Sequence, residues 1–276
     1  MGALHEGHAA LIRRAKRLAG NKGTKCIKGG VVVSIFVNPR QFGPKEDLSK
    51  YPRPFAEDVD LCKREGVDLL FHPAPSEMYS VDASVAVTES ILSSGLCGTS
   101  RPGHFDGVCT VVSMLFNIIR PDIAVFGEKD WQQLAVIRRM VRDLKIPMKI
   151  VGHPTVREED GLALSSRNRL LSPGSRRVAP RIYQALLATA MEAEGAIGDH
   201  GGQTSVARLR QGLKRDLAAI PGAEIDYLEI VDETTLAPLK KLSPGANARA
   251  LVAVRLGSVG NGFVRLIDNL PLKSPL

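Results

Sequence analysis

The chain has 276 residues, 44% of them hydrophobic, which is enough for one or two buried cores. No apolar run approaches the roughly 20 residues needed to cross a bilayer. The four cysteines, Cys26, Cys62, Cys97 and Cys109, lack Cys-x-x-Cys spacing, which argues against a zinc site or disulfide framework and for reduced thiols in a cytosolic-type compartment.

Met1-Gly2-Ala3-Leu4-His5-Glu6-Gly7-His8, followed by an apolar-periodic stretch, predicts a loop turning into a helix over 9–19. His5 and His8 stand three apart, so on a helix they share a face. A helix N-terminus offers unpaired N–H groups and partial positive charge, which suits phosphate. The bland alternative is two polar residues in a first turn. Residues 20–30, rich in Gly and Lys, read as an exposed loop. A strand over 31–37 delivers Asn38-Pro39-Arg40-Gln41-Phe42-Gly43. A helix over 55–65 carries Glu57 and Asp58, which are candidate magnesium carboxylates or simply a helix-face pair. A short strand follows at 67–71, and 84–93 is ambiguous.

Arg101, His104 and Asp106 fall in a Gly/Pro-rich loop that could close over a substrate, ahead of a helix at 107–119. The apolar run 123–126 predicts a buried strand ending in Gly127-Glu128-Lys129-Asp130, and a helix is expected over 131–144. In open α/β sheets ligands sit beyond such carboxyl ends. A further strand at 148–152 completes an alternation that argues for a parallel, doubly wound sheet. Beyond about 155 the character changes. Leu164-Ser165-Ser166-Arg167-Asn168-Arg169 groups two hydroxyls with two guanidiniums. Helices are expected over 176–194 and 205–220, with 195–203 as the loop between them, and short antiparallel strands over 225–231, 249–256 and 263–268. Residues 257–262 lengthen a hairpin turn. The reading is α/β, with a Rossmann-like N-terminal domain over 1–155 and a smaller α+β C-terminal domain over 156–276 closing over the site.

MGALHEGH (1–8), VVSIFVNPRQFGP (32–44), LCGTSRPGHFDGVCTVV (96–112), FGEKDWQQLAVIRRMVRDL (126–144), VREEDGLALSSRNRLLSP (156–173), DYLEIVD (226–232) and RLIDN (265–269) resemble, in order, the motifs of the pantothenate synthetase family. These enzymes are pantoate–β-alanine ligases of the His-x-Gly-His nucleotidyltransferase superfamily. The resemblance implies a cytoplasmic homodimer that uses ATP and Mg2+ to join pantoate to β-alanine through pantoyl adenylate, releasing AMP and pyrophosphate. It places His5, His8, Lys129, Ser165, Ser166 and Arg167 in catalysis, His8 as proton donor or charge stabiliser and Lys129 on the phosphates. The ATP site it implies comprises Met1, Gly2, Ala3, Leu4, His5, Glu6, Gly7 and His8. To these it adds Gly127, Glu128, Lys129, Asp130, Val156, Leu164, Ser165, Ser166 and Arg167. Gln41 is assigned to pantoate and β-alanine and Gln133 to pantoate, with Asn38 and Arg101 beside them.

Each assignment has a plain structural alternative. Lys129 could pair with Glu128 or Asp130, the serines could cap turns, and glutamines are most often surface residues. Family members carry a short apolar strand ahead of the Met-Gly motif. Its absence here predicts unpaired neighbouring ladders and a truncated N-terminus, behind which a targeting peptide would be invisible. Two other functions compete. A nucleotidyltransferase without an amine acceptor is disfavoured by Gln41 with Gln133, which suit a compact hydroxy acid. The net charge of +8 also fits a nucleic-acid module. Aromatics at 5%, however, leave few stacking platforms; steep salt dependence of binding would mark that reading.

Overall fold

The computed structural model describes residues 2–20, 29–43, 48, 51–198, 204–260 and 262–272. Met1, Cys26, most of the 20–30 loop, the end of the 195–203 loop and Asn261 lie outside the described residues. The chain divides into two compact units, Met1–Glu128 with Gln132–Pro154, and Lys129–Trp131 with Thr155–Leu276. Among the described residues no helix is long and apolar enough to cross a membrane.

The first unit alternates helix and strand, as its hydrophobic periodicity predicts. Its elements run α1 (Glu6–Gly20), β1 (Val32–Ser34), α2 (Phe55–Arg64), β2 (Leu69–Phe71), α3 (Pro75–Met78), α4 (Cys97–Ser100), α5 (His104–Ile119), β3 (Ile123–Gly127), α6 (Trp131–Asp143) and β4 (Lys149–His153). β1 pairs with β2 and β3 with β4, both in parallel. These are two separate pairs rather than one continuous sheet. A cavity of about 490 Å³ lies between them, lined by 31–34 and 123–126, with Leu11 and Ile12 of α1 and Val112 and Phe116 of α5 among its other walls. The strand expected over 31–37 is only three residues long, because its ladder ends with the Ile35 N–H to Phe71 carbonyl bond and the chain then turns at Asn38-Pro39.

α5 begins at His104, three residues before its predicted start. Gly103 precedes it with φ 76°, a left-handed conformation that glycine adopts without steric cost. Ten residues of α5 are buried, so it forms the centre of this unit's core. The stretch 84–93 forms neither helix nor strand.

The second unit holds α7 (Pro173–Val178), α8 (Arg181–Gly198), β5 (Thr204–Ser205), α9 (Val206–Ala218), β6 (Glu224–Asp232), β7 (Lys241–Leu242), β8 (Ala248–Gly257) and β9 (Phe263–Leu272). The single helix expected over 176–194 is two. Pro180 lacks an N–H and crowds the turn before it, which breaks the helix between Val178 and Arg181. α8 then continues to Gly198, through residues expected in a loop. β6, β8 and β9 form an antiparallel sheet with β8 central. β8 reads Ala-Arg-Ala-Leu-Val-Ala-Val-Arg-Leu-Gly and is buried along most of its length, as a strand with neighbours on both edges requires. Leu186 of α8 and Leu209, Leu213 and Leu217 of α9 share one core with Ile230, Val252, Val254 and Leu256 of the sheet.

Candidate active site

In the first unit the opening loop is fixed by a buried carboxylate. Asp58, 2% exposed, accepts the N–H groups of Ala3 at 2.9 Å and Leu4 at 2.6 Å. Gly2 takes φ +87°, and a Cβ there would lie 3.0 Å from Asp58 Oδ2, so the loop's close approach needs glycine. Both Asp58 oxygens are engaged by backbone donors, and Glu57 is exposed. Among the described residues no group of three His, Cys, Asp or Glu side chains could hold a metal ion. With both oxygens so engaged, Asp58 serves as the anchor of the loop.

That anchor sets up the two histidines. His5 Nδ1 accepts the Gly7 N–H and His8 Nδ1 accepts the His5 N–H, both at 3.2 Å. With each Nδ1 an acceptor, the proton of either neutral ring sits on Nε2. The rings stand 4.2 Å apart, so the predicted shared face exists. His8 lines the same cavity as Ser34 and Phe126, near the carboxyl ends of β1 and β3, where ligands of such sheets bind.

A second cluster surrounds Gln41, which is 8% exposed. Asn38 Nδ2 donates to Gln41 Oε1 at 3.1 Å and to the Gly107 carbonyl at 3.0 Å. Asn38 Oδ1 accepts from the Tyr79 hydroxyl at 2.8 Å and from the Arg40 N–H at 3.2 Å. His104 Nε2 lies 2.9 Å from Arg101 Nη1 and its Nδ1 lies 2.9 Å from the Gln41 carbonyl. Arg101 can only donate, so His104 Nε2 accepts, the ring is neutral, and Nδ1–H donates to Gln41. Asn38, Gln41, Arg101 and His104 thus come together, with Tyr79 and Gly107, which the sequence reading did not single out. Because Asn38 donates to the amide oxygen of Gln41, it fixes which way that amide faces, with the NH2 turned away from Asn38.

Gln133 is half-buried and its amide has no hydrogen-bond partner among the described residues. Its neighbour Gln132 is spent on structure. Its Nε2 donates to the Leu92 and Gly95 carbonyls, both at 2.8 Å, and its Oε1 accepts the Cys97 N–H at 2.9 Å. Gly127 ends β3 and Glu128 follows it in this unit. Cys109 is buried in α5, and burial, with Glu89 and Asp106 nearby, pushes its thiol up to about 12, so it is inert.

The second unit carries the other predicted residues. Lys129 Nζ lies 3.9 Å from Asp130 Oδ2, a loose ion pair beyond hydrogen-bonding distance, so the alternative pairing with Asp130 is met. Ser165 caps the turn Ser166–Leu170 by accepting the Arg167 N–H at 3.3 Å. The capping alternative is therefore met, while the Ser165 hydroxyl proton is still available to donate. Arg167 is exposed, and its guanidinium forms no ion pair among the described residues. Val156 and Leu164 are joined by the Leu164 N–H to Val156 carbonyl bond at 2.9 Å, which closes the arm that presents Ser165. Arg176 braces this arm through Glu158 and Asp160, each at 2.6 Å. Burial opposes ionisation of Asp160, yet Arg176 and the Leu162 N–H hold its carboxyl below the usual range.

Known proteins decide what this arrangement belongs to. The family model described as Pantoate-beta-alanine ligase matches residues 1–271. The chain belongs to the pantoate–β-alanine ligase family. It is 47% identical over 272 residues to the pantothenate synthetase of Akkermansia muciniphila, covering 99% of this chain and 90% of that relative. It is 48% identical over 272 residues to that of Thermotoga petrophila, covering 98% and 88%. The crystal structure of pantothenate synthetase from Thermus thermophilus matches with a TM-score of 0.86 and 48% identity, over 99% of this chain and 91% of that one. Pantoate-beta-alanine ligase from Francisella tularensis, complexed with beta-gamma ATP and beta-alanine, matches with a TM-score of 0.73 and 32% identity, over 100% and 88%. The expectation of a Rossmann-like α/β ligase is borne out, and the chain is an ATP-dependent pantoate–β-alanine ligase.

Proposed function

We propose that the chain works through pantoyl adenylate, with the residues described above in the following roles. A pantoate carboxylate oxygen attacks the α-phosphorus of ATP, and the bond to the bridging oxygen breaks, releasing pyrophosphate. The β-alanine amine then attacks the acyl carbon, AMP departs with the bonding pair, and the amine loses a proton. The first step drives an anion against a polyanion, so it needs donors aimed at the transferring group. The observation that carries this reading is the histidine pair. Its two Nδ1 atoms are held by backbone N–H groups, which makes each Nε2–H the donor of a neutral ring.

On this reading His8 stabilises charge developing on the phosphoryl oxygens, with His5 beside it. Lys129, Ser165, Ser166 and Arg167 supply further positive charge and donors to the phosphates. Gly2, Ala3, Leu4, Glu6, Gly7, Gly127, Glu128, Asp130, Val156 and Leu164 shape the nucleotide site. Gln41 and Gln133 bind pantoate by neutral amides, with Gln41 serving β-alanine as well, and Asn38 and Arg101 hold Gln41 in place. The ATP-bound Francisella relative supports a nucleotide here. Magnesium would accompany ATP on its phosphate oxygens and water, as that ion usually binds. The reading extends to a homodimer, which sedimentation of the protein would test.

Product analysis tests the mechanism. ATP should be consumed only when pantoate is present, yielding AMP and pyrophosphate; ADP and inorganic phosphate as products would overturn it. His8→Ala should slow adenylation by roughly 10²–10³-fold, the usual loss for one such donor, while the melting temperature holds. A variant that keeps more than about a third of the parent rate would remove His8 from this role.

A further inference from the structure

Two adjacent residues of β9, Asp268 and Asn269, are buried polar groups to which the mechanism assigns nothing. Asn269, 3% exposed, donates from Nδ2 to the main-chain carbonyl of Lys129 at 2.9 Å. Its Oδ1 accepts from Arg249 Nη1 at 2.6 Å. The Arg249 guanidinium lies 3.5 Å from the centre of the Trp131 ring and donates from Nε to Glu233 at 2.9 Å. The Trp131 indole N–H in turn donates to the Glu233 carbonyl at 3.2 Å. The turn Lys129–Trp131 is thus bound at both ends to the sheet of the second unit. Asp268 faces the other arm. Its carboxylate takes a two-pronged bond from Arg157, at 2.7 and 3.0 Å. Arg157 also donates to the Gly161 carbonyl at 3.1 Å and stacks 3.7 Å from the Tyr183 ring. It sits at the base of the 156–164 arm that presents Ser165.

We infer that Asp268 and Asn269 are positioning residues that hold Lys129 and the 165–167 turn in one fixed frame. The inference rests on the proposal that these two segments contact the phosphates. Both act through other groups, Asn269 through the Lys129 carbonyl and Asp268 through Arg157. Neighbouring positions on one strand hold the two segments, so the frame is as rigid as the β8–β9 ladder, whose pairs run unbroken from Ala248 to Gly257. Displacing a phosphate donor by about 1 Å costs on the order of 10²-fold in rate.

Asn269→Asp keeps the acceptor for Arg249 and replaces the Lys129-facing donor with an oxygen, so it removes one bond, sets two acceptors against each other and spares the rest. Single-turnover formation of pantoate-dependent AMP and pyrophosphate should slow about tenfold or more, with the pantoate KM within about twofold of the parent value. The deciding measurement is the double variant. In a Lys129→Ala background, Asn269→Asp should slow the reaction by less than about twofold, because the group it positions is already gone. Asp268→Asn should lose its effect in the same way in an Arg167→Ala background, and this arm decides alone if Asn269→Asp does not fold. Equal losses in both backgrounds would mark a general structural role and overturn the inference while leaving Lys129 on the phosphates. Should Lys129→Ala and Arg167→Ala themselves keep the parent rate, the phosphate reading fails and the inference falls with it.

Discussion

At the scale of single residues, neighbours of one type have taken opposite duties. Gln132 and Gln133 are adjacent on α6, so their side chains leave the helix about 100° apart, set by 3.6 residues per turn. Gln132 is spent on three main-chain groups of the 92–97 segment, while the Gln133 amide has no partner among the described residues. Gln133→Ala should therefore raise the apparent pantoate KM around tenfold or more, since a hydrogen bond to a charged group contributes about 1.5–3 kcal/mol. Nucleotide affinity measured by calorimetry should barely move; an equal loss for both ligands would indicate collapse of the site instead. The sequence shows two glutamines and cannot say which faces the core, because that depends on a segment some 35 residues away. Asp58 was opaque for the same reason. Its partners, Ala3 and Leu4, lie more than 50 positions away, and a carboxylate in a first helical turn looks alike whether it meets metal, water or backbone. The histidine pair was legible because its geometry is local: a spacing of three within one helical turn.

Elements were legible where their periodicity was strong, and their ends were not. α1, α2, α6 and α9 fall within a few residues of their predicted spans. The start of α5 was missed because Pro102 and Gly103 look like loop, although the helix begins at once after Gly103's left-handed turn. Gly107, inside α5, has a reason that only tertiary structure supplies. A Cβ there would stand 2.3 Å from the Arg40 carbonyl oxygen and 2.6 Å from the Gln41 nitrogen, so α5 can reach the 38–41 turn only with hydrogen at this position. Gly107→Ala must push the two apart, breaking the bond from Asn38 to the Gly107 carbonyl. The expected result is a loss of about 1–3 kcal/mol in stability, typical of overpacking, together with a higher pantoate KM as Gln41 loses its orientation. Denaturant unfolding and steady-state kinetics on the same preparation measure both. A variant with unchanged KM would show that the turn holds Gln41 without α5.

For the molecule as a whole, class and chemistry were readable from motifs spread along the chain, while the internal wiring of the second unit was not. Arg157 and Asp268 are 111 positions apart, Lys129 and Asn269 are 140 apart, and no local pattern announces such pairs. The first unit carries a different burden in its divided sheet. β1 and β3 each pair on one edge only among the described residues, and both line one cavity. Their main-chain groups on the cavity side are a template for a strand from another molecule. Opposing this is a net charge of +8, which keeps copies apart as long as it is felt at a distance. The Debye length falls from about 30 Å at 0.01 M salt to about 10 Å at 0.1 M. Colloidal behaviour should therefore turn on ionic strength: light scattering at fixed protein concentration should climb as salt is added, with hydrogen exchange slowing at Val32–Ser34 and Ile123–Gly127 as they become covered. Scattering that stays flat across that range would mean the open edges are already guarded. In practice the protein should store best in dilute buffer, and salting a concentrated stock would turn unpaired strand edges into points of association.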